Sequence, residues 1–218
     1  METIKTYDRV VAGVVDPLND FGPNGAVPVP TGHEVIEPIN IVTRWVRQNK
    51  GVVAFLRDQH KRGSKHLKDQ GGPWDDHCIG GEWGAELFDG IEVVDGDAML
   101  YKGTGMEDDG YSGFEGVGHD GATLETYVYP TRLEKVALVV VGLCTDYCDK
   151  ATGLDGIALA RSLPVDRQLD VFMVSDAIRA VDVYPGDGDR AIAEMQEAGV
   201  QFITTDELVN GRVMEIRN

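Results

Sequence analysis

The chain has 218 residues, and its 37 Asp and Glu residues outnumber its 20 Lys and Arg residues, so the formal net charge is −17. A surface this acidic repels phosphate backbones and anionic lipid headgroups, which argues against nucleic-acid and membrane partners. No apolar run approaches the roughly 20 residues that a membrane helix needs. The length is typical of one domain with a full hydrophobic core, and we expect residues 1–218 to form a single domain.

The cysteine content also restricts the class of protein. The three cysteines, Cys78, Cys144 and Cys148, form a sparse, odd-numbered set that is a poor framework for disulfide bonds and suits a reducing compartment. The first residues lack the basic and then apolar layout of a secretory signal peptide. We therefore expect a cytoplasmic protein in which one cysteine can be a reactive thiol. The sequence leaves the oligomeric state open, including a homo-oligomer.

Apolar, β-branched runs alternate with helical patterns along the chain. The predicted strands span residues 10–15, 52–56, 98–101, 136–142, 171–175 and 200–203. The predicted helices span residues 33–49, 123–132, 145–162 and 188–197. Strands that are buried on both faces read as continuous runs of Val, Ile and Leu. The alternation therefore predicts an α/β domain around a mostly parallel sheet.

The first predicted helix has a clear amphipathic pattern. Val35, Ile39, Val42 and Val46 recur at helical spacing, so they fall on one face, which we expect to be buried. Thr31 stands just before this helix, where a hydroxyl can accept a hydrogen bond from a free backbone N–H group. The pattern predicts that Thr31 caps the helix.

Chemically active side chains follow the predicted strands. Asp16 follows the first strand, Asp58 and His60 the second, Lys102 the third, and Cys148 comes soon after the fourth. In a parallel sheet the carboxyl ends of the strands meet at one edge, where functional groups gather. Each residue alone has an ordinary explanation, since an Asp after a strand often caps a turn and a lone Lys is usually solvated. Their combination predicts a site at this edge.

Cys148 is the candidate nucleophile. If Thr145 or Asp146 caps the helix that follows, Cys148 lies in the first turn, where free N–H groups and the helix dipole favour a thiolate. A nearby Lys would lower the pKa of the thiol further, and a carboxylate could accept its proton. The alternative is a small buried side chain on a helix face. Cys144 is better interpreted as a small residue in a tight turn than as half of a metal or redox pair.

The irregular stretch over residues 57–97 carries candidate metal ligands. Asp58, His60, His66 and His77 combine a carboxylate with imidazoles, a set that suits Zn²⁺, Fe²⁺ or Mn²⁺. The alternative is a scatter of surface histidines in a polar loop. That alternative is the interpretation we favour for the two remaining histidines, His33 and His119.

Three aromatic residues in the loops, Phe21, Trp74 and Tyr111, can stack on a planar ligand, or they can simply pack the loops against the core. The glycine-rich segments GTGMEDDG and YSGFEGVG do not have the Gly-Lys-Ser/Thr ending of a phosphate-binding loop. We interpret them as shaped loops.

These residues lie within motifs that resemble the nicotinamidases, in the isochorismatase-like cysteine hydrolase superfamily. The resemblance covers about residues 10–203. The motifs that carry it are VVDPLNDF, RDQH with HLKD, WDDHCIGGEWGAELF, YKG, YSGFEG and VGLCTDYC. The resemblance implies a three-layer α/β/α fold around a six-stranded, mainly parallel sheet.

The resemblance also implies catalytic roles. It implies a catalytic triad of Asp16, Lys102 and Cys148, with Cys148 forming a thioester intermediate. A cis peptide bond is expected before Cys144, and the N–H groups of Cys144 and Cys148 would form an oxyanion hole. Tyr147 lies directly before the nucleophile, at a position where some members of the family carry His.

The implied ligands and reaction follow from the same motifs. The metal ligands would be Asp58, His60 and His77, with His66 as a fourth ligand in some members, and they would hold one divalent ion, Zn²⁺ first and Fe²⁺ or Mn²⁺ as alternatives. The reaction implied is hydrolysis of nicotinamide to nicotinate and ammonia, a step of NAD salvage. The alternatives are a related amidohydrolase acting on maleamate or a carbamoyl amine, and a binding module without turnover.

Overall fold

Parallel strands form the centre of the molecule. The computed structural model describes residues 4–129, 131 and 133–217. The strands in these ranges are β1 (Lys5–Tyr7), β2 (Arg9–Val15), β3 (Val52–Asp58), β4 (Ala98–Lys102), β5 (Lys135–Leu143), β6 (Gln168–Arg179), β7 (Gln201–Ile203) and β8 (Met214–Ile216). Strands β2 to β7 form a six-stranded sheet in the order β4-β3-β2-β5-β6-β7, and β1 pairs with β8 separately. Every pairing between these strands is parallel.

Helices cover both faces of the large sheet. They are α1 (Ile36–Gln48), α2 (Leu124–Val128), α3 (Lys150–Ser162), α4 (Asp187–Ala198) and α5 (Thr205–Val209). Side chains of α1 and α5 join the hydrophobic core on one face, and those of α2, α3 and α4 join the core on the other face. The predicted three-layer α/β/α fold is therefore confirmed. Within the described ranges, no helix has the length and apolar character required to cross a membrane.

Strand β2 explains why its sequence reads as an unbroken apolar run. Successive side chains of a strand point to opposite faces. Val10 and Val14 accordingly enter the core beneath α1, whereas Val11 and Val15 enter the core beneath α3. Both sets are fully buried, so no position along the strand selects for a polar residue.

The first helix confirms the predicted buried face but not the predicted cap. Ile39, Val42 and Val46 of α1 are fully buried, and so is Val35, which directly precedes the helix. A 3₁₀ turn over Gly32–Val35 precedes α1, and Thr31 adopts left-handed backbone geometry with φ of 53° and makes no cap hydrogen bond. The Thr31 hydroxyl instead accepts a hydrogen bond from Nε of Arg179 at 3.2 Å.

The second predicted helix is shorter than the pattern over residues 123–132 suggests. The helix α2 begins after Thr123, whose side chain caps it, and ends at Val128. Tyr129 is extended, with ψ of 115°, because a proline at the next position disfavours helical geometry in the residue before it. Residues 130 and 132 lie outside the described residues.

Sequence patterns missed three short elements. Strands β1 and β8 have three residues each, and α5 has five. Periodicity cannot be read from so few positions. Strand β6 is longer than predicted and continues to Arg179.

A stability prediction follows from the contact between β2 and β5. Gly142 has φ of +131°, and a Cβ atom there would lie 1.9 Å from the carbonyl oxygen of Val15. We expect Gly142→Ala to lower the free energy of unfolding, measured by urea denaturation, by about 1–3 kcal/mol from backbone strain, with a further loss from the steric clash. Gly96→Ala is the matched control, because Gly96 also has positive φ but no atom lies within 4 Å of the added Cβ. Equal losses in the two variants would contradict the steric explanation.

Candidate active site and metal site

Strand register brings three of the predicted residues together. Asp58 ends β3 and lies opposite Lys102, which ends β4. Asp16 directly follows β2, and its N–H donates to the carbonyl oxygen of Leu56 at 2.9 Å. Oδ1 of Asp16 in turn accepts the N–H of Asp58 at 2.7 Å. Two carboxylates and an ammonium group therefore meet at the carboxyl edge of the sheet.

The ammonium group of Lys102 is completely buried between these carboxylates. Its Nζ lies 2.7 Å from Oδ2 of Asp16 and 2.5 Å from Oδ1 of Asp58. It also donates to the carbonyl oxygen of Gly110 at 2.6 Å and lies 3.5 Å from Sγ of Cys148. Lys102 thus contacts both carboxylates and the candidate nucleophile.

Burial and mutual charge set the protonation of this cluster. Burial favours neutral Lys102, but Asp16 and Asp58 outweigh it and raise the pKa of Lys102 well above its ordinary value. Burial alone would raise the pKa of Asp58, yet the positive charge of Lys102 holds it below the usual range. Burial and the nearby charge of Asp58 raise the pKa of Asp16 to about 7, against the opposing effect of Lys102. Of the two carboxyls, that of Asp16 is therefore the candidate for proton exchange near neutral pH.

The sulfur of Cys148 lies close to the same two carboxylates. One carboxylate oxygen each of Asp16 and Asp58 and the sulfur of Cys148 all lie within 4.8 Å of one another. Burial raises the pKa of the Cys148 thiol well above its ordinary value, and Lys102 opposes this only in part. The expected lowering of the thiol pKa is therefore wrong for this arrangement, and a base is needed to remove the proton.

The turn that carries Cys148 also differs from the predicted helix start. Residues Thr145–Asp149 form a π-helical turn before α3, without a side-chain cap. Asp146 does not cap it, because its two carboxylate oxygens accept the N–H groups of Val181 at 3.0 Å and Asp182 at 2.9 Å. The peptide bond before Cys144 is cis, as the resemblance implies.

The candidate metal ligands are also close together. Ligand atoms of His60, His66 and His77 lie within 4.8 Å of one another, and all three side chains are buried. Oδ2 of Asp58 lies 3.6 Å from Nε2 of His60 and 4.0 Å from Nε2 of His77. The other oxygen of Asp58 contacts Lys102, so this one carboxylate lies between the Lys102 ammonium group and the histidine cluster. The remaining histidines, His33 and His119, are exposed.

These side chains fit a divalent metal ion. Nδ1 of His60 lies 3.2 Å from the carbonyl oxygen of Gly103, and Nδ1 of His77 lies 2.8 Å from that of Asp75. In a metal-binding histidine, the ring nitrogen that does not bind the metal usually donates its N–H to a backbone carbonyl or a carboxylate, which orients the ring. Among the described residues, the buried Nε2 of His60 and Nδ1 of His66 have no hydrogen-bond partner. Three imidazoles with one carboxylate form a donor set that suits zinc and similar ions.

A pocket lined by aromatic side chains contains both the candidate nucleophile and candidate metal ligands. Its walls include Phe21, Trp74 and Tyr111 together with Cys148 and His77. The ring of Phe21 lies 5.8 Å from that of His77. Nε1 of Trp74 donates a hydrogen bond to the hydroxyl of Tyr111 at 3.0 Å. The three aromatic residues that sequence analysis selected therefore face the same space as the candidate nucleophile and metal ligands.

Three further pocket residues were not among the predicted site residues. Tyr147 packs its ring against Trp74 at 4.9 Å and Tyr111 at 5.7 Å. Sequence analysis noted it only as a departure from relatives that carry His beside the nucleophile. Val27 and Val181 also line the pocket, but they lie in irregular segments without a motif that could have revealed them.

The comparisons with known proteins agree with this geometry. The family model described as the isochorismatase domain matches residues 14–207. The chain belongs to the isochorismatase family. This membership confirms the resemblance that the motifs indicated, and the matched residues of the isochorismatase domain contain the whole carboxylate, histidine and cysteine arrangement.

Relatives within this family are similar over most of their length. The chain is 28% identical to the nicotinamidase of Escherichia coli over 207 residues, covering 88% of this chain and 92% of the relative. It is 28% identical to the nicotinamidase/pyrazinamidase of Mycobacterium tuberculosis over 195 residues, covering 87% and 96%. The crystal structure of the pyrazinamidase of Pyrococcus horikoshii in complex with zinc is 27% identical, covers 90% of this chain and 99% of its own, and has a TM-score of 0.74.

The buried ion pairs allow a direct test. Lys102→Met removes the positive charge between two buried carboxylates, and we expect it to lower the free energy of unfolding by about 3–5 kcal/mol, measured by urea denaturation. Lys5→Met is the control, because Nζ of Lys5 pairs with Asp170 at 3.1 Å with 47% of the Lys5 side chain exposed. This surface pair should contribute about 0–1 kcal/mol. If Lys102→Met lowered the free energy of unfolding no more than Lys5→Met does, the result would contradict a positively charged Lys102 between ionised carboxylates.

Proposed function

We propose that this protein is a nicotinamidase, which hydrolyses nicotinamide to nicotinate and ammonia and so serves NAD salvage. The proposal rests on one observation above all: the Cys148 sulfur, the Asp16 carboxylate and the Lys102 ammonium group meet beside a cluster of buried histidines. The distances of 3.5 Å from Lys102 to sulfur and 2.7 Å from Lys102 to Asp16 support a shared proton network. Two relatives named nicotinamidase, from Escherichia coli and Mycobacterium tuberculosis, support the substrate.

Asp16 acts as the base in the first step. It takes the proton of the Cys148 thiol, and the sulfur then attacks the carboxamide carbon of the substrate. A carboxyl whose pKa is about 7 can both accept and return a proton near neutral pH. Lys102 keeps its positive charge beside both groups, which stabilises the thiolate and the ionised carboxylate as they form.

The acyl group is then transferred to water. The N–H groups of Cys144 and Cys148 bind the oxyanion of the tetrahedral intermediate. Asp16 gives its proton to the leaving nitrogen, ammonia departs, and a thioester to Cys148 remains. Asp16 next takes a proton from water as the hydroxide adds to the thioester, the carbon–sulfur bond breaks, and Asp16 returns the proton to the sulfur, which restores the thiol. The product leaves as nicotinic acid and ionises to nicotinate, and the released ammonia takes up its proton. The proton count returns to its starting value after each turnover.

The pocket walls position the pyridine ring. Phe21, Trp74 and Tyr111 hold its faces and edges through aromatic contacts. Asp58, His60 and His77, with His66 as a fourth donor, would hold a divalent ion, and we propose Zn²⁺ before Fe²⁺ or Mn²⁺. When bound, the ion supplies a positive charge that holds the ring nitrogen. The zinc complex of the Pyrococcus horikoshii pyrazinamidase supports this order.

Replacement of the nucleophile tests the proposed chemistry. Cys148→Ala should abolish ammonia release from nicotinamide, because no sulfur remains to form the thioester, and it should leave the metal content unchanged. Cys78→Ala is the control: Cys78 is also buried, its sulfur lies 3.9 Å from a carbonyl oxygen of Gly84, and its side chain is not part of the pocket lining. That variant should keep most of the turnover. Ammonia release by Cys148→Ala would show that another residue is the nucleophile.

A pair of substrates tests the role of the metal. Chelation should lower kcat/KM for nicotinamide by roughly tenfold to a hundredfold, the loss expected for one contact between a charged and a polar group. Benzamide carries the same carboxamide but no ring nitrogen, so its kcat/KM should change little. Ammonia release with both amides, measured before and after chelation and after zinc is restored, gives the comparison. Equal losses for both amides would contradict a contact between metal and ring nitrogen. No loss for either amide would mean that the metal is idle, and would favour the related amidohydrolases that act on maleamate or carbamoyl amines.

A further inference from the structure

The carboxylate of Asp20 joins two loops that are distant in sequence. Its Oδ2 accepts the backbone N–H of Cys78 at 2.6 Å, and its Oδ1 accepts the backbone N–H of Ala26 at 3.1 Å. The carbonyl oxygen of Asp20 also accepts the N–H of Val27 at 3.0 Å. One half-buried residue thus holds the loop before α1 against the loop that follows β3. None of the catalytic steps described above uses it.

Both loops carry parts of the pocket. Cys78 directly follows His77, a candidate metal ligand, and Val27 lines the same cavity. Phe21, the next residue after Asp20, packs its ring 5.8 Å from that of His77. The hydrogen bonds of Asp20 therefore act on the backbone on either side of the pocket, within one or two residues of groups that face it.

The backbone of Cys78 has an uncommon geometry at this contact. Cys78 has φ of +46°, a left-handed geometry that is uncommon for residues other than glycine and needs support from its surroundings. The N–H of this same residue donates to Asp20. Opposite the carboxylate stands Gly84, where an added Cβ would lie 1.9 Å from Oδ2 of Asp20. Only a glycine leaves room for the carboxylate at this place.

We propose that Asp20 is a positioning residue that fixes His77 for metal binding. By holding the N–H of Cys78, its carboxylate sets the path of the backbone that carries His77, and by holding Ala26 it closes the pocket wall against the same loop. The proposal rests on the proposed function, since the metal is the one assigned to that reaction. Asp20 itself contacts neither the reacting atoms nor the candidate ligand atoms.

Zinc affinity tests the proposal without turnover. Zn²⁺ binding is measured by competition with a chromophoric chelator for the wild type, Asp20→Asn and Asp20→Ala. Asn keeps one of the two acceptor oxygens and Ala keeps neither, so the affinity should fall in that order, by roughly tenfold to a hundredfold, as is typical when a group that orients a metal ligand is lost. At saturating zinc, kcat should stay close to the wild-type value because the catalytic triad is intact, whereas KM for nicotinamide should rise.

Two further variants separate positioning from general loss of stability. Gly84→Ala retains Asp20 but forces its carboxylate to move, so it should weaken zinc binding in the same direction. Asp176→Asn is the matched control: Asp176 is also half-buried, and Oδ1 accepts the N–H of Thr205 at 2.9 Å, away from the pocket. Its zinc affinity should equal that of the wild type.

The outcomes are distinct. Wild-type zinc affinity in Asp20→Asn and Gly84→Ala would overturn the proposal, even if Asp20→Ala fails to fold. An equal loss in Asp176→Asn would overturn it as well, since the effect would then be one of stability. If wild-type protein releases no ammonia from nicotinamide but Asp20→Asn still binds zinc more weakly than Asp176→Asn, the proposed function fails and the positioning role of Asp20 stands.

Discussion

The ion pairs of Lys102 with Asp16 and Asp58 are the interaction on which the rest of the site depends. A single buried charge would be very unfavourable, and two neighbouring carboxylates would repel each other without a cation between them. Asp58 contacts Lys102 with one oxygen and faces His60 and His77 with the other. One carboxylate therefore links the cluster around the candidate nucleophile to the candidate metal ligands.

The sheet order makes this arrangement rigid. Strands β4, β3, β2 and β5 are consecutive neighbours, so the residues at their carboxyl ends stand side by side although they are far apart in sequence. The loop over residues 59–97 has no such framework. It is held instead by isolated bridges such as that between His60 and Ile79, and by the carboxylate of Asp20. The sheet thus places Asp16, Lys102 and the candidate nucleophile Cys148, whereas hydrogen bonds between loops place the histidines and the aromatic walls.

Much of this could be predicted from the sequence, and the errors have physical causes. Long β-branched runs revealed the strands of the sheet because both of its faces are buried. The cap predicted at Asp146 is wrong because its carboxylate binds the backbone of Val181 and Asp182, which are distant in sequence. The pKa of the Cys148 thiol moves in the direction opposite to that expected, because burial outweighs the effect of Lys102. A local sequence pattern does not show which distant residues a side chain will contact, or how deeply the side chain will be buried.

The sequence by itself determined the types of reactive groups, the strand ends that carry them and the family to which they belong, since these depend on local order and spacing. Only the tertiary structure decided which carboxyl has a raised pKa, how Asp58 is shared between Lys102 and the histidines, and that Tyr147, Val27 and Val181 complete the pocket. The reason is that pKa values and pocket shape depend on distances and burial, which arise when remote segments pack together. The sequence specifies which reactive side chains are present, and folding determines the distances and the burial that set their pKa values.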